Sequence, residues 1–197
     1  LETTNELMRQ CDLVLATGGG AMVHAAYSSG SPALGVGVGN AVITVDDTAD
    51  LDAAAEKIRL SKTLDLAASC SSDNSVVLLD GIYEPMLEKL RAQGGYLCNE
   101  EEKAALRNTL WDEELHLNTA IVAQPPEKIA QMAGLSIPKE TKFFIVPEEG
   151  WGPEHPFSGE KLSVIMALYR ARDIDHAIEL TQNIQAYQGQ GHSCGIY

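Results

Sequence analysis

No stretch of this sequence approaches the roughly twenty apolar residues that a membrane-crossing helix requires. No positively charged opening leads into an apolar run, so a secretory signal is not expected. Positive charge is scarce throughout: 14 lysines and arginines stand against 28 aspartates and glutamates, a formal charge of -14. Such a chain repels a phosphate backbone and offers no basic stripe, which argues against nucleic acid as a partner. Only four cysteines occur, Cys11, Cys70, Cys98 and Cys194, and no two share the close spacing of a zinc knuckle. Without a secretory signal a disulfide framework is not expected either, which leaves each thiol as core filler or as reagent. His24, His116, His155 and His176 show no metal-ligand spacing, and no metal is expected. Internal repeats and low-complexity tracts are also lacking.

What is present is average for a soluble globular chain: 45% apolar and 21% charged residues over a length of 197. Short β-type runs alternate with longer helical ones, the pattern of an α/β fold. Asp12–Ala16 reads as a buried strand broken by Thr17-Gly18-Gly19-Gly20, and Ala21–Ser29 as a helix stopped at Gly30. Ala33–Val36 and Val42–Val45 read as strands around a glycine-rich run, and about Asp50–Lys62 as a helix. A second unit is expected from Asp65, giving domains 1–64 and 65–197. Within it Val76–Leu79, Phe143–Val146, Leu162–Tyr169 and Gly195–Tyr197 read as strands. Tyr83–Gln93, Glu100–Thr109, Glu127–Gly134 and Ile174–Tyr187 read as helices, the first with Met86, Leu87 and Leu90 on one side. The opening helix and the closing strand give both ends a cut look, so the chain is expected to be a piece of a longer enzyme.

Cys70 is the residue with the most chemical promise. It lies in Ala67-Ala68-Ser69-Cys70-Ser71-Ser72-Asp73-Asn74-Ser75, where small neighbours leave room for a substrate at a helix-to-strand junction. Backbone N–H groups at such a junction can stabilise a thiolate and later an oxyanion. The plain alternative is an inert packing cysteine, since free cysteine is among the most buried residue types. Cys11, Cys98 and Cys194 are read as packing residues. Asn40 is read as closing the glycine-rich turn, through a left-handed backbone or a local bond. Thr17-Gly18-Gly19-Gly20 lacks the spaced glycines of a Rossmann fingerprint and taken alone is a tight turn. Glu160 beside Lys161 taken alone is a surface carboxylate, and His192 an ordinary partly buried histidine.

Several runs, in the same order along the chain, change that weighting: Ala16-Thr17-Gly18-Gly19, Tyr27-Ser28-Ser29-Gly30, Pro32-Ala33-Leu34-Gly35-Val36-Gly37-Val38-Gly39-Asn40, Ser61-Lys62-Thr63, Cys70 with Ser75-Val76-Val77, Pro156-Phe157 with Glu160-Lys161-Leu162-Ser163, and Gly191-His192-Ser193. Together they resemble the CoA-acylating branch of the aldehyde dehydrogenase superfamily, which includes acetaldehyde and propionaldehyde dehydrogenases and the aldehyde half of bifunctional aldehyde-alcohol dehydrogenases. The resemblance implies a three-layer, mostly parallel α/β catalytic domain, preceded by the last part of a Rossmann-like cofactor domain. It also implies a homo-oligomer in the cytoplasm or inside a bacterial microcompartment.

The resemblance implies the chemistry as well. Cys70 would add to an aldehyde to give a thiohemiacetal, hydride would pass to NAD or NADP, and coenzyme A would release the resulting thioester as acyl-CoA. Hydrolytic members of the superfamily activate water with a glutamate that opens a Glu-Leu-Gly-Gly run. The corresponding Val36-Gly37-Val38-Gly39 offers no carboxylate, so water lacks a general base there. Thr17, Gly18, Gly19 and Gly37 would border the cofactor, Glu160 would bond the nicotinamide ribose, and His192 would move protons. The Ser69–Ser75 run departs from the Cys-Ala-Ser-Glu type and is somewhat similar to sequences assigned to sulfoacetaldehyde. Two alternatives stand beside this reading: a hydrolytic dehydrogenase or esterase releasing free acid, and a catalytically incomplete domain that serves folding and assembly.

Overall fold

A computed structural model describes residues 2–197 and divides into two compact units, Leu1–Val38 and Gly39–Tyr197. The smaller unit contains helix α1 (Glu2–Gln10), strand β1 (Val14–Thr17), helix α2 (Gly20–Tyr27) and strand β2 (Ala33–Val36). The two strands are parallel, with Val14 opposite Ala33 and Thr17 opposite Val36, so β1, α2 and β2 form one βαβ unit. Val14 and Ala16 point inward with Met8 and Ala26, whereas Leu15, Leu34 and Val36 on these strands are exposed.

The larger unit is a six-stranded parallel sheet. Its strands are β3 (Ala41–Val45), β4 (Asp73–Leu79), β5 (Gly95–Leu97), β6 (Phe143–Pro147), β7 (Ile165–Ala171) and β8 (Ser193–Ile196), in the order β5-β6-β7-β4-β3-β8. Between them run α3 (Leu51–Thr63), α4 (Tyr83–Ala92), α5 (Glu100–Leu110), α6 (Pro126–Ala133) and α7 (Ile174–Tyr187). Crossovers leading towards β5 carry α3 and α4, and those leading towards β8 carry α5, α6 and α7. Right-handed connection places these two sets on opposite faces, giving three layers. The central strands are apolar on both faces, as a sheet covered twice must be: Val76, Val77 and Leu78, Phe143 to Val146, and Ile165 to Leu168 are all buried.

The division at Val38/Gly39 differs from the boundary near residue 64 expected from the sequence. β3 takes its hydrogen bonds from β4 and β8, and Ala54, Ala55 and Ile58 of α3 enter the same core as those strands. Residues 41–63 therefore fold with the larger unit. β7 starts at Ile165 instead of Leu162, because Leu162 has a left-handed backbone (φ 44) that cannot begin a strand. Several helix starts follow local chemistry that the sequence displays. Asp50 accepts from the N–H groups of Asp52 and Ala53, Asp173 from His176, and Asn99 forms a reciprocal capping box with Glu102.

Candidate active site

Because every strand of the larger sheet is parallel, its connecting loops gather at two opposite edges. The residues with chemical promise lie at the edge where the strands begin. Cys70 precedes β4, Gly39 precedes β3, Glu160 precedes β7 and His192 precedes β8, and these four strands are neighbours in the order β7-β4-β3-β8. Open α/β sheets more often bind ligands beyond the carboxyl ends of their strands; here that opposite edge carries none of the four.

Cys70 is exposed, in a short turn in which Ser72 N–H donates to the Ser69 carbonyl at 3.1 Å. The approach to this turn is unusual. Asp65, Leu66 and Ala67 are three successive non-glycine residues with positive φ, 49°, 53° and 58°, a conformation that costs each of them backbone energy. Of the other thiols, Cys98 is buried in the core, and burial pushes its pKa up to about 12. Cys11 is half-buried against the small core of the first unit. Cys194 is exposed, contrary to its reading as a packing residue, because β8 is an edge strand and Cys194 and Ile196 share its uncovered side. Iodoacetamide is therefore expected to label Cys70 and Cys194 in the native protein, and Cys98 only after denaturation. Peptide mass mapping checks this, and a Cys70 that labels no faster than Cys98 would remove it from consideration as a nucleophile.

Glu160 and His192 come together at Gly39. A Cβ built on Gly39 would lie 2.9 Å from both Glu160 Oε1 and His192 Nε2, so only glycine leaves these two side chains their places. Glu160 is half-buried instead of a surface carboxylate, and its Oε1 is a buried acceptor without a protein donor. Burial raises its pKa above the usual carboxylate range, while the Gly39 N–H and the Lys161 charge pull it back. His192 is half-buried, its N–H donating to the Gly189 carbonyl at 2.9 Å and its Nδ1 3.0 Å from Ser193 Oγ.

A buried polar network that sequence reading missed holds this edge together. Asn40 Nδ2 donates to the Ser158 carbonyl at 2.8 Å, and Asn74 Nδ2 donates both to Asn40 Oδ1 and to the Gly159 carbonyl, each at 2.7 Å. Lys161 Nζ donates to the Phe157 carbonyl at 2.6 Å and to the Gly159 carbonyl at 2.9 Å. Asn40 is thus not a local turn residue but a bridge to a distant segment. Its fit also requires Gly189, where a Cβ would fall 2.5 Å from the Asn40 Cβ and where φ is +82°. The sequence contained a partial signal, a cluster of polar residues at strand starts, but nothing in the spacing pairs Asn40 with Asn74.

Two buried lysines complete the cluster. Lys62 is pushed down to about 7, chiefly by burial and against the pull of Asp73; Asp73 is itself raised by burial, so both partners are driven towards their neutral forms. Lys161 lies well below its ordinary pKa because of burial and the Lys62 charge. Among the described residues no group of three or more potential ligands could hold a metal ion.

The predicted cofactor loop lies in the smaller unit. Thr17 ends β1, Gly18 N–H donates to the Val36 carbonyl at 3.0 Å, and Gly19 is the N-cap of α2, whose start no side chain caps. A side chain at Gly19, Gly20 or Gly37 would meet nothing within 4 Å, which leaves these backbones open.

No protein-family model matches the chain. Over 196 residues it is 46% identical to a sulfoacetaldehyde dehydrogenase (acylating) of Cupriavidus necator, a match covering 98% of this chain and 40% of that protein. It is 42% identical over 199 residues to the bifunctional aldehyde-alcohol dehydrogenase AdhE of Escherichia coli, covering 100% of this chain and 22% of that one. The crystal structure of an acetylating aldehyde dehydrogenase from Geobacillus thermoglucosidasius matches with a TM-score of 0.96 and 40% identity, over 100% of this chain and 44% of that chain. The chain thus spans less than half the length of these relatives.

Proposed function

We propose, for a chain whose homologues along its whole length are acylating aldehyde dehydrogenases, that the protein carrying it oxidises a small aldehyde to the corresponding acyl-CoA. The observation that carries this reading is an exposed thiol, Cys70, at the leading end of β4, beside strands that bring Glu160 and His192 to the same edge. Sulfoacetaldehyde is the first substrate to try, because the relative at 46% identity is named for it.

The residues present fit a nicotinamide cofactor on two counts. Glu160 Oε1 is a buried acceptor in want of a donor, which a ribose hydroxyl supplies. The uncapped start of α2, with open space around Gly19 and Gly20, leaves backbone N–H groups to meet a phosphate. Bound there, a nicotinamide cofactor would supply hydride acceptance for oxidation of the thiohemiacetal held on Cys70.

The chain's own residues account for the remaining steps. Cys70 Sγ bonds to the aldehyde carbon as a thiolate, and its backbone N–H, which has no protein acceptor among the described residues, is available to the developing oxyanion. His192 takes the thiol proton of coenzyme A, whose sulfur then attacks the acyl carbon. The bond to Cys70 breaks, and its thiolate is restored. The Val36-Gly37-Val38-Gly39 run, which corresponds in sequence to the Glu-Leu-Gly-Gly run of hydrolytic enzymes, offers no carboxylate to activate water. This reading places the protein in the cytoplasm as a homo-oligomer; among the described residues no helix is long and apolar enough to cross a membrane.

Steady-state kinetics on a panel of small aldehydes tests the proposal. Sustained NAD or NADP reduction, beyond one equivalent per enzyme, is expected only when coenzyme A is present, with acyl-CoA as the product. Reduction at full speed without coenzyme A, accompanied by free acid, overturns it in favour of a hydrolytic enzyme.

A further inference from the structure

The segment that carries Glu160 lies outside the strand ladders. The β4–β7 register begins at Ser75 opposite Ala167, and β7 itself begins at Ile165. Strand pairing fixes β3, β4 and β7, and the apolar core takes the Phe157 side chain, but residues 158–160 depend largely on side chains, among them Gln188, whose Oε1 accepts from the Glu160 N–H at 2.9 Å. Three buried side chains, Asn40, Asn74 and Lys161, hold the three successive carbonyls of residues 157–159. Asn40 and Asn74 each bond two other segments, and Asn74 does so through donors alone, giving one N–H to Asn40 and the other to Gly159. Each end of this bridge adjoins a residue of the candidate site. Asn74 follows Cys70 on the same strand entry, Gly159 precedes Glu160, and Asn40 follows the Gly39 on which Glu160 and His192 rest.

We propose that Asn74 is a positioning residue, which sets Glu160 relative to the Cys70 strand by fixing the Gly159 carbonyl. The inference rests on the reading of Cys70 and Glu160 given above. An amide is required because both of its partners are acceptors, and a carboxylate of the same shape would face two oxygens with nothing to donate.

The test is a double-mutant cycle between Asn74→Asp and Glu160→Gln in the enzyme that carries this chain. Asn74→Asp is expected to raise KM for the nicotinamide cofactor and to lower kcat, each by about tenfold or more, while native alkylation of Cys70 stays within about twofold of wild type. Glu160→Gln alone is expected to raise cofactor KM by about tenfold, but by less than about twofold when Asn74 is already aspartate, because the carboxylate it removes has already been displaced. A merely structural asparagine would give additive effects, and additivity overturns the inference, as do wild-type kinetics in Asn74→Asp. If Asn74→Asp does not fold, Asn74→Ser, which leaves room for a water, takes its place in the cycle; failure of both to fold also overturns the inference. The two ideas fail separately. A silent Glu160→Gln removes the role of Glu160 and the inference with it, whereas additive variants in an enzyme that Cys70→Ala inactivates remove the inference alone.

Discussion

Replacing Cys70 with alanine is expected to abolish coenzyme A-dependent oxidation of aldehydes, lowering kcat by at least about 10⁴-fold, the scale on which loss of a covalent nucleophile acts. The folded state should hardly register the change. Cys70 is exposed in a turn, and removing one exposed sulfur leaves no cavity. A thermal melt within a degree or two of wild type, combined with lost turnover, would therefore locate the defect in chemistry. Intact-mass analysis gives a second reading: with aldehyde and cofactor but no coenzyme A, wild type should gain the mass of one acyl group and the alanine variant none. An alanine variant that still forms acyl-CoA at a tenth of the wild-type rate would end the case for Cys70.

The second large effect concerns stability. Lys62 is wholly buried, and its pKa falls from 10.5 to about 7, a change worth on the order of 5 kcal/mol at about 1.4 kcal/mol per unit. The sign follows from proton binding. Between pH 7 and pH 10.5 the unfolded lysine holds a proton that the folded one has lost, so stability rises with pH across that window. Below pH 7 the full penalty applies, and above pH 10.5 it has gone. Changing Lys62 alone would leave Asp73 buried without its cation, so the informative variant is Lys62→Met with Asp73→Asn. It should be more stable than wild type by about 1–4 kcal/mol at pH 6, the usual gain when a buried ion pair is replaced. That gain should shrink between pH 7 and pH 10. Urea midpoints at several pH values measure it, and a gain that stays flat over the window would contradict the titration assigned to Lys62.

The parts of the fold that sequence reading found are those that announce themselves over short distances. α7 was expected at the bounds it has, because Asp173 caps it and apolar residues recur along one face. β4 and β6 are marked by the unbroken apolar runs Val76–Leu79 and Phe143–Val146, although β4 begins earlier, at Asp73. Strand β5 was missed, since three residues opening on Gly95 show no period, and it exists because β6 offers an edge to pair with. Leu162 was placed in a strand on apolar character alone, while its backbone is turned by the loop that Lys161 anchors. The site was legible as a set of residues, because each stands in a recognisable run. Its support was not: Asn40 and Asn74 meet only after β3 and β4 have paired, and no local pattern encodes that meeting. The burial of Lys62 and Lys161 has no local signal in the sequence either.

The placement of the candidate site at the leading edge of a parallel sheet has an electrostatic corollary. Helices in such a sheet run back against the strands, so α3 and α7 deliver their carboxyl ends to the edge from which the chain goes on to Cys70 and His192. Each helix contributes a fraction of a negative charge there, opposite in sign to what a forming thiolate or oxyanion requires. The macrodipoles of the larger unit thus oppose the chemistry, and single N–H groups and cations must answer them. Lys62 occupies the last turn of α3, but burial drives it towards its neutral form, so it sets a full positive charge against that negative terminus only below about pH 7.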